Sequence, residues 1–483
     1  MHHQNISNNL NKMKLSQVER HIIKKNNPLY EALVQLCELS NNLANETIYA
    51  IRQHYFYVNG QQYTDEVLIG IKKKFLDYND LSNYFSNIHK SDNYKALSAN
   101  CGQCTIKQIT KECKSFFALL EGKRNGTYDK KVSFPSYKKK GGLFVVTYNR
   151  QALYPRDGKL FIPKHRNIVL DFEIKHYDDF SQMRIVPKNN SLVIEFIYEI
   201  EVMDLLPYNK RVMGIDLGVD NFATCVSNVA NAFIIDGRQI KAVNAYYNKF
   251  FSKTQAQLDK TVNKDLIKKI AEIDNDTSLS DKQKKQKKHP YQMKLQRSTK
   301  QLRFEIDYRN NVIMDFLHKA SSYVVNHAVK NNISAIYVGR NIGWKQEANM
   351  GRVNNQKFCS IPHSKFIEML KYKAKKNGIS VFDNEESYTS KASFLDNDVI
   401  PVFSKDEHEP YKFSGKRKHR GLYVSKDGIL LNADVNGAFN ILRKGLNVSA
   451  EALLPSVKGF VFNPTRVKVT KICRKPRAKV IKK

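Results

Sequence analysis

The segment that most constrains this chain runs from Val212 to Ala223, VMGIDLGVDNFA. Its apolar residues lead directly into Asp216, which Gly218 follows two positions later. This pattern predicts a buried β-strand that ends in a carboxylate. A buried carboxylate is costly unless a positive charge lies beside it, and carboxylate oxygens are preferred ligands of Mg²⁺. The segment alone stays ambiguous, because a strand-terminal aspartate near a glycine is also common in nucleotide-binding and purely structural turns.

The charge of the chain points to nucleic acid as a partner. The 483 residues include 80 Lys and Arg against 46 Asp and Glu, a formal net charge of +34 spread over the whole length. Aromatic residues lie among the basic ones, which favours stacking on bases as well as contact with phosphates. Ribosome-associated and membrane-surface proteins are also basic, so the charge by itself leaves those classes open.

Length and cysteine usage narrow the class further. A chain of this length predicts two to four domains. No apolar run approaches a membrane span, and the first residues, MHHQNISNNL, lack the apolar core of a secretory signal, so we expect an intracellular protein without a membrane partner. The pair Cys101 and Cys104 lies in a helical apolar pattern with no second CxxC or His pair, which favours a packed helix over a zinc or redox site.

Apolar periodicity divides the chain into alternating β-rich and helical stretches. In the first half it predicts a short basic strand near 13–25, helices over about 28–120, and the strands of a small barrel over about 142–201. In the second half it predicts three strands near 212, 222 and 232, helices over about 242–330, a strand at 333–339, a helix at 362–377 and a strand at 379–382. Residues 281–290, DKQKKQKKHP, are expected to form an exposed turn. This order is that of an RNase H-like sheet, whose adjacent first and fourth strands carry acidic residues at their ends.

A second candidate carboxylate lies in LNADVNGAFNILRKG, from Leu431 to Gly445. Asp434 comes at the start of a predicted helix. One interpretation is that Asn432 or Asp434 only caps that helix, a role these residue types often fill. The other is that the helix packs on the sheet and brings Asp434 beside Asp216.

With these two carboxylates and the strand order between them, the chain resembles the RuvC-type nucleases of the TnpB family. Members are transposon-encoded RNA-guided DNA endonucleases, ancestral to type V CRISPR effectors and related to the Fanzor proteins. The resemblance covers about Leu15 to Lys444. Four stretches carry it: GIDLGVDNFAT, GRNIGWKQEANMGRVNNQKF, EESYTSKASFLD and GLYVSKDGILLNADVNGAFNILRK.

The resemblance implies an α/β multidomain fold. Its parts are an RNase H-like (RuvC) nuclease domain, an N-terminal β-barrel (wedge) domain and an inserted helical recognition domain. The implied bounds are 1–27 for the first wedge strand, 28–125 for the helical recognition domain, 126–207 for the wedge barrel, 208–389 for the RuvC domain with a helical insertion at 242–330, 390–430 for a target nucleic-acid-binding insert, 431–447 for the final RuvC segment and 448–483 for a basic tail.

The chain departs from the family pattern at the middle catalytic glutamate. Many members carry that glutamate where this chain has Gly339, which cannot bind a metal. A subset that resembles this chain more closely carries it just before a TS dipeptide, where Glu386 stands in EESYTS. The strand at 379–382 is expected beside the strand at 333–339, so a side chain leaving its C-terminal end reaches the same place. We expect Glu386 to be the middle ligand, with Glu385 and Glu347 as alternatives.

A second departure concerns zinc. Many relatives hold a zinc ribbon with two CxxC pairs, but the matching insert here has no cysteine. We therefore expect no structural zinc, and packing of Phe394, Leu395, Phe403 and Tyr423 in its place. We expect nucleic-acid contacts from Tyr137, Lys138, Lys139, Lys140, Lys345, Lys391, Lys416, Arg417, Lys418 and Arg420. A solvated basic surface is the alternative for such runs.

The resemblance implies that Asp216, Glu386 and Asp434 hold two Mg²⁺ ions about 4 Å apart, with Mn²⁺ as a substitute, and hydrolyse DNA. A guide RNA (omega RNA) would select a double-stranded or single-stranded DNA target beside a short adjacent motif, with one RNA per protein monomer. The expected location is the cytoplasm, near the bacterial nucleoid, or the nucleus of a eukaryotic host. The alternatives are a nuclease-dead RNA-guided repressor, an RNase H-like transposase and an RNA-binding protein without chemistry.

Overall fold

The structure, a computed structural model, describes residues 14–60, 71, 73, 75–340, 351, 355–356, 359–402, 411–419, 421–453 and 464–470. The chain divides into a compact unit formed by Lys14–Ile200 and a second compact unit that contains the residues from Glu201 onward. Within the described ranges, no helix is both long enough and apolar enough to cross a bilayer.

The first unit combines a group of helices with two sheets. Its helices are α1 (Tyr30–Val58), α2 (Tyr78–Asn83), α3 (Asp92–Ala96) and α4 (Ala99–Arg124). Its strands are β1 (Lys14–Lys24), β2 (Val146–Asn149), β3 (Tyr154–Arg156), β4 (Lys159–Ile162), β5 (His165–Leu170), β6 (Phe180–Pro187) and β7 (Ser191–Glu201). The strand orders are β1-β7-β6-β2 and β3-β4-β5. Because these strands lie in two separate sheets, a single closed barrel stays a prediction.

The CGQC pair lies in a packed helix, as the sequence predicts. Cys101 is fully buried in α4 beside Ile106 and Ile109, and both members of the pair are free thiols. Burial raises the pKa of the Cys101 thiol to about 12. A thiol held protonated in this way is a poor metal ligand or nucleophile.

The second unit is built around a mixed sheet. Its strands are β8 (Val212–Leu217), β9 (Asn221–Ser227), β10 (Phe233–Asp236), β11 (Ala335–Gly339), β12 (Ser380–Asn384), β13 (Lys416–His419), β14 (Leu422–Val424), β15 (Leu430–Asn432) and β16 (Thr465–Val467). Its helices are α5 (Arg238–Lys260), α6 (Lys264–Asn275), α7 (Asp281–Lys294), α8 (Lys300–Lys330), α9 (His363–Lys376) and α10 (Ala433–Leu446).

The strand order of this sheet is β12-β11-β8-β9-β10-β16, so the first and fourth strands along the chain are adjacent, as the sequence predicts. Strands β8, β9 and β10 are antiparallel neighbours, whereas β11 runs parallel to β8, and β12 parallel to β11. The register pairs Val338 with Ile215. Asp216 and Gly339, the next residues of these strands, therefore lie side by side where the carboxyl ends of β8 and β11 meet.

Helices cover both faces of the sheet. Met213, Ile215 and Leu217 pack in one buried cluster with residues of α8 and α9. The alternate residues of β8 face α10, which approaches so closely that a Cβ on Gly214 would lie 2.5 Å from the backbone oxygen of Ala438. Since side chains alternate along a strand, Asp216 lies on the α10 side.

One sequence prediction is corrected here, and one strand was not predicted. Residues 281–290 are exposed but belong to helix α7 rather than to a turn, because Ser280 and Gln283 form a reciprocal capping box and long unbranched side chains favour a helix. The predicted basic tail contains strand β16, which pairs in parallel with β10. A strand of three residues has too little periodicity to be found from sequence.

Candidate active site

The first carboxylate, Asp216, lies against helix α10. A Cβ on Gly437 of that helix would lie 3.0 Å from Asp216 Oδ2, so the absence of a side chain there makes room for the carboxylate. Burial raises the pKa of Asp216 well above its ordinary value, and the negative charges of Asp434 and Glu386 raise it further, while Arg417 opposes them. Asp434 and Glu386 are therefore close enough to Asp216 for their charges to act on it.

The second carboxylate, Glu386, follows the end of β12. Its Oε2 lies 2.7 Å from the position that a Cβ on Gly339 would occupy. Gly339 in turn ends β11 beside Asp216. The glutamate that follows β12 thus fills the space above the end of β11, where many relatives carry theirs.

The neighbouring Glu385 has a different environment. It accepts hydrogen bonds from the Lys444 ammonium and, at 2.6 Å, from the backbone N–H of Ser387. Although burial acts to raise it, the pKa of Glu385 is lowered by these contacts, whereas burial and the charge of Glu385 raise the pKa of Glu386 to about 7. This contrast favours Glu386 over Glu385 as the site carboxylate. Glu347 lies outside the described residues.

The third carboxylate, Asp434, does not cap helix α10. Asn432 caps α10 instead, because its Oδ1 accepts from the backbone N–H groups of Asp434 at 2.9 Å and Val435 at 3.2 Å. The Asp434 side chain accepts from Asn221 Nδ2 at 2.5 Å and from Arg417 at 3.3 Å. Asn221 is a site residue that the sequence reasoning missed, although it lies only five positions after Asp216 in the same motif.

The donor set suits a hard divalent cation, since three carboxylates with mutual repulsion are stabilised by positive charge between them. Over the described ranges, no group of three or more Asp, Glu, His or Cys side chains lies close enough together to hold a metal ion in the arrangement seen here. At Asp434 the positive charge is supplied by Arg417, whose side chain is 48% exposed on β13. The residues therefore fit a cation in their chemistry, with a guanidinium beside one of the carboxylates in this structure.

The predicted contact loop in the first unit is exposed except at one lysine. Tyr137, Lys139 and Lys140 are exposed, whereas Lys138 donates to Glu112 Oε2 at 2.8 Å. Asn45 of α1 anchors the loop, because it accepts from the backbone N–H of Lys138 at 2.7 Å and donates to its carbonyl at 3.1 Å. Three of the four residues are accessible to a phosphate backbone.

The predicted contacts in the second unit lie mainly on the insert. Lys391 and the β13 residues Lys416, Arg417 and Lys418 are all exposed. Lys345 and Arg420 lie outside the described residues. The site thus has exposed basic side chains beside it, and one of them, Arg417, contacts a site carboxylate directly.

Aromatic packing holds the insert against α10. Phe394 is fully buried and stacks on Phe439, with ring centroids 4.5 Å apart. Tyr423 is buried as well, and its hydroxyl donates to the carbonyl of Lys391 at 2.7 Å. Leu395 packs against the same cluster, while Phe403 lies outside the described residues.

Comparisons with known proteins find two family models and a curated protein that are similar to this chain. Residues 195–345 match the family OrfB_IS605, described as a probable transposase, and residues 363–441 match the Cas12f1-like TNB domain. The TnpB-like protein ORF457 of Acidianus two-tailed virus is 23% identical over 467 residues, which span 90% of this chain and 88% of that protein.

Two of the solved structures that match the chain have low similarity to it. A Cas12f1–sgRNA–target DNA complex is 14% identical and covers 86% of this chain and 82% of that one, with a TM-score of 0.43. A second Cas12f ternary complex is also 14% identical, covers 85% and 80% of the two chains and has a TM-score of 0.30. Because both TM-scores are below 0.5, we draw no conclusion about the fold from these two structures.

Proposed function

The chain belongs to the TnpB family, and we propose that it is an RNA-guided DNA endonuclease with a RuvC-type, RNase H-like active site. The observation that carries the proposal is the meeting of Asp216, Glu386 and Asp434, from three distant segments, at one edge of the sheet. Each of the three residues is partly exposed, so the site is open to a substrate.

The positions of the residues support the following proposed roles. Asp216, Glu386 and Asp434 would hold the divalent cations, Mg²⁺ or Mn²⁺. When bound, such cations supply an activated water for attack on the phosphodiester and charge stabilisation at the leaving oxygen. Gly437 and Gly339 leave room for the carboxylates of Asp216 and Glu386. None of the three residues is fully buried, so a phosphate backbone would reach the site.

The proposed partners are a guide RNA and a DNA target. One Cas12f1 structure reported above is a complex with sgRNA and target DNA, and we propose the same kinds of partner for this chain. Exposed Tyr137, Lys139, Lys140, Lys391, Lys416 and Lys418 would hold nucleic acid by its backbone, while base pairing reads the sequence. We further propose that one protein monomer binds one RNA and that the target must lie beside a short adjacent motif. The first unit would serve as the wedge domain and the recognition domain.

A second candidate function, that of a transposase, is supported by one observation. The family matched at residues 195–345 is described as a probable transposase, and an RNase H-like transposase uses a similar acidic trio to join DNA strands. The two functions differ in their products, since a nuclease leaves cut ends and a transposase leaves joined ones.

The test uses protein purified with the RNA from its own locus. The complex is incubated with Mg²⁺ and a plasmid library that carries a guide-matched target beside randomised sequence. We expect linear products cut near the target, and loss of cutting with retained DNA binding in Asp216→Ala and Glu386→Ala. Joined products would favour the transposase, and target binding without cutting by the wild type would favour a nuclease-dead repressor.

A further inference from the structure

The C-terminal strand β16 is anchored to the edge of the central sheet. Thr465 donates its backbone N–H to the carbonyl of Ala232 at 3.0 Å, and Val467 packs against the sheet's buried core. Shortly after the strand, the Thr470 hydroxyl contacts Gln239 Oε1 at 2.7 Å. Neither matched family region reaches this strand, since the second one ends at residue 441.

This strand places Arg466 next to the active-site motif. The guanidinium of Arg466 donates to Asn221 Oδ1 at 2.7 Å, and its other terminal nitrogen lies 3.8 Å from Asp236 Oδ1. Asp236 is itself buried and forms an ion pair with Arg238 at 2.6 Å. Asp236, which is itself held by Arg238, therefore orients the guanidinium of Arg466.

The contact with Arg466 decides which way the Asn221 amide faces. A guanidinium has donors only, so the amide oxygen must point toward Arg466 and the amide NH₂ must point away from it. That NH₂ is the group that donates to Asp434 Oδ2 at 2.5 Å. A reversed amide would instead place its oxygen against a carboxylate oxygen, which is repulsive.

We infer that Arg466 and Asn221 are positioning residues for the active site: the C-terminal strand orients Asn221, and Asn221 holds Asp434. With Oδ2 of Asp434 held in this way, Oδ1 is the oxygen turned toward Arg417 and the site opening. The inference rests on the proposed function for the identity of the site. Side chains that orient a ligand in this manner commonly change metal affinity by about 10- to 100-fold when they are removed.

The test measures metal binding directly, without DNA. Mn²⁺ is titrated into the full-length protein–RNA complex and free Mn²⁺ is followed by electron paramagnetic resonance. We expect Arg466→Met, which has no donor, and Asn221→Ala each to weaken Mn²⁺ binding by about tenfold or more. Arg466→Lys, which keeps a donor for the amide oxygen, should retain most of the affinity. Lys468→Met, the matched control for lost charge, should bind as the wild type does, and thermal unfolding should show that all variants fold.

A double variant tests whether Arg466 acts through Asn221. If it does, Asn221→Ala combined with Arg466→Met binds Mn²⁺ no more weakly than Asn221→Ala alone, because residues in one network are not additive. Additive losses, or an Arg466→Met variant that matches Lys468→Met, would overturn the inference while leaving the nuclease proposal standing. Weakened Mn²⁺ binding in Arg466→Met, together with a wild-type complex that cuts no DNA, would support the positioning role and count against the nuclease proposal.

Discussion

The carboxylate of Glu386 occupies the space that a side chain on Gly339 would need, with Oε2 2.7 Å from the ideal Cβ position. Gly339 ends β11, whereas Glu386 follows the end of β12, and the two residues are 47 positions apart in the chain. The side chain of a glutamate at the end of β11 and the side chain of a glutamate after β12 would therefore occupy the same space. Glycine at the first position is what makes the second arrangement possible.

Replacing Gly339 by alanine should disable the site although no acidic group is removed. The added methyl would meet Glu386 Oε2 and, at 2.5 Å, Ile441 Cδ1, so the carboxylate must move away. We expect Mn²⁺ binding and DNA cutting to fall by about tenfold or more, as for other losses of ligand orientation. Thermal unfolding provides the control, since both neighbours are flexible side-chain ends and the fold should persist. Wild-type Mn²⁺ affinity in Gly339→Ala would show that Glu386 is not the middle ligand.

The two adjacent glutamates should respond differently to the same substitution. Glu386→Gln is expected to reduce DNA cutting by at least about 100-fold, because it removes a ligand rather than a group that orients one. Glu385→Gln breaks the ion pair with Lys444 but leaves the site carboxylates in place, so its cutting should stay within about tenfold of the wild type. Equal losses in the two variants, measured as initial cutting rates at saturating Mg²⁺, would contradict this assignment.

Arg417 should compete with the metal. Its guanidinium pairs with Asp434 at 3.3 Å, so a cation entering the site must displace it or share the carboxylate with it. We expect Arg417→Gln to bind Mn²⁺ more tightly in the absence of DNA, by about fivefold at most because the pair is exposed. Lys418→Gln removes the same charge from the same strand and is the matched control. The prediction is wrong if the two variants have the same Mn²⁺ affinity.

Metal binding should weaken as the pH falls. Burial and the charge of Glu385 raise the pKa of Glu386 to about 7, so below about pH 7 the cation must displace a proton from that carboxylate. The pKa of Asp216 is also raised, which acts in the same direction. We expect the Mn²⁺ dissociation constant to rise between pH 8 and pH 6, by up to about tenfold per pH unit for each proton displaced. Glu386→Gln should show a shallower pH dependence. An affinity that is flat over this range would mean that the carboxylates are already ionised.

The elements that could be predicted from the sequence are those with long apolar patterns. Strand β8, the meander that follows it and helix α9 each have such a pattern, and their order predicts that β8 and β11 are neighbours. Asp216 and Asp434 could be chosen as candidate site residues because each lies at the beginning or the end of an element with a clear signal. The sequence could not decide between Asn432 and Asp434 as the cap of α10, since both residue types fill that role equally well.

The features that escaped prediction depend on contacts between distant residues. Nothing local marks Asn221 as a partner of Asp434, or Arg466 as a partner of Asn221, because each pair is more than two hundred positions apart. Helix α7 was missed for a different reason, since a helix without an apolar face has no periodic signal and is set by its cap and propensity instead.

The central claim is that residues 216, 386 and 434 surround one metal site. It is tested most directly by replacing Mg²⁺ with Fe²⁺ in the protein–RNA complex, starting local radical cleavage of the polypeptide with ascorbate and peroxide, and mapping the cuts by mass spectrometry. The account predicts cuts close to all three residues, which excess Mg²⁺ suppresses and which Asp216→Ala abolishes together. Cuts near only one of the three segments, or cuts that persist unchanged in Asp216→Ala, would contradict it.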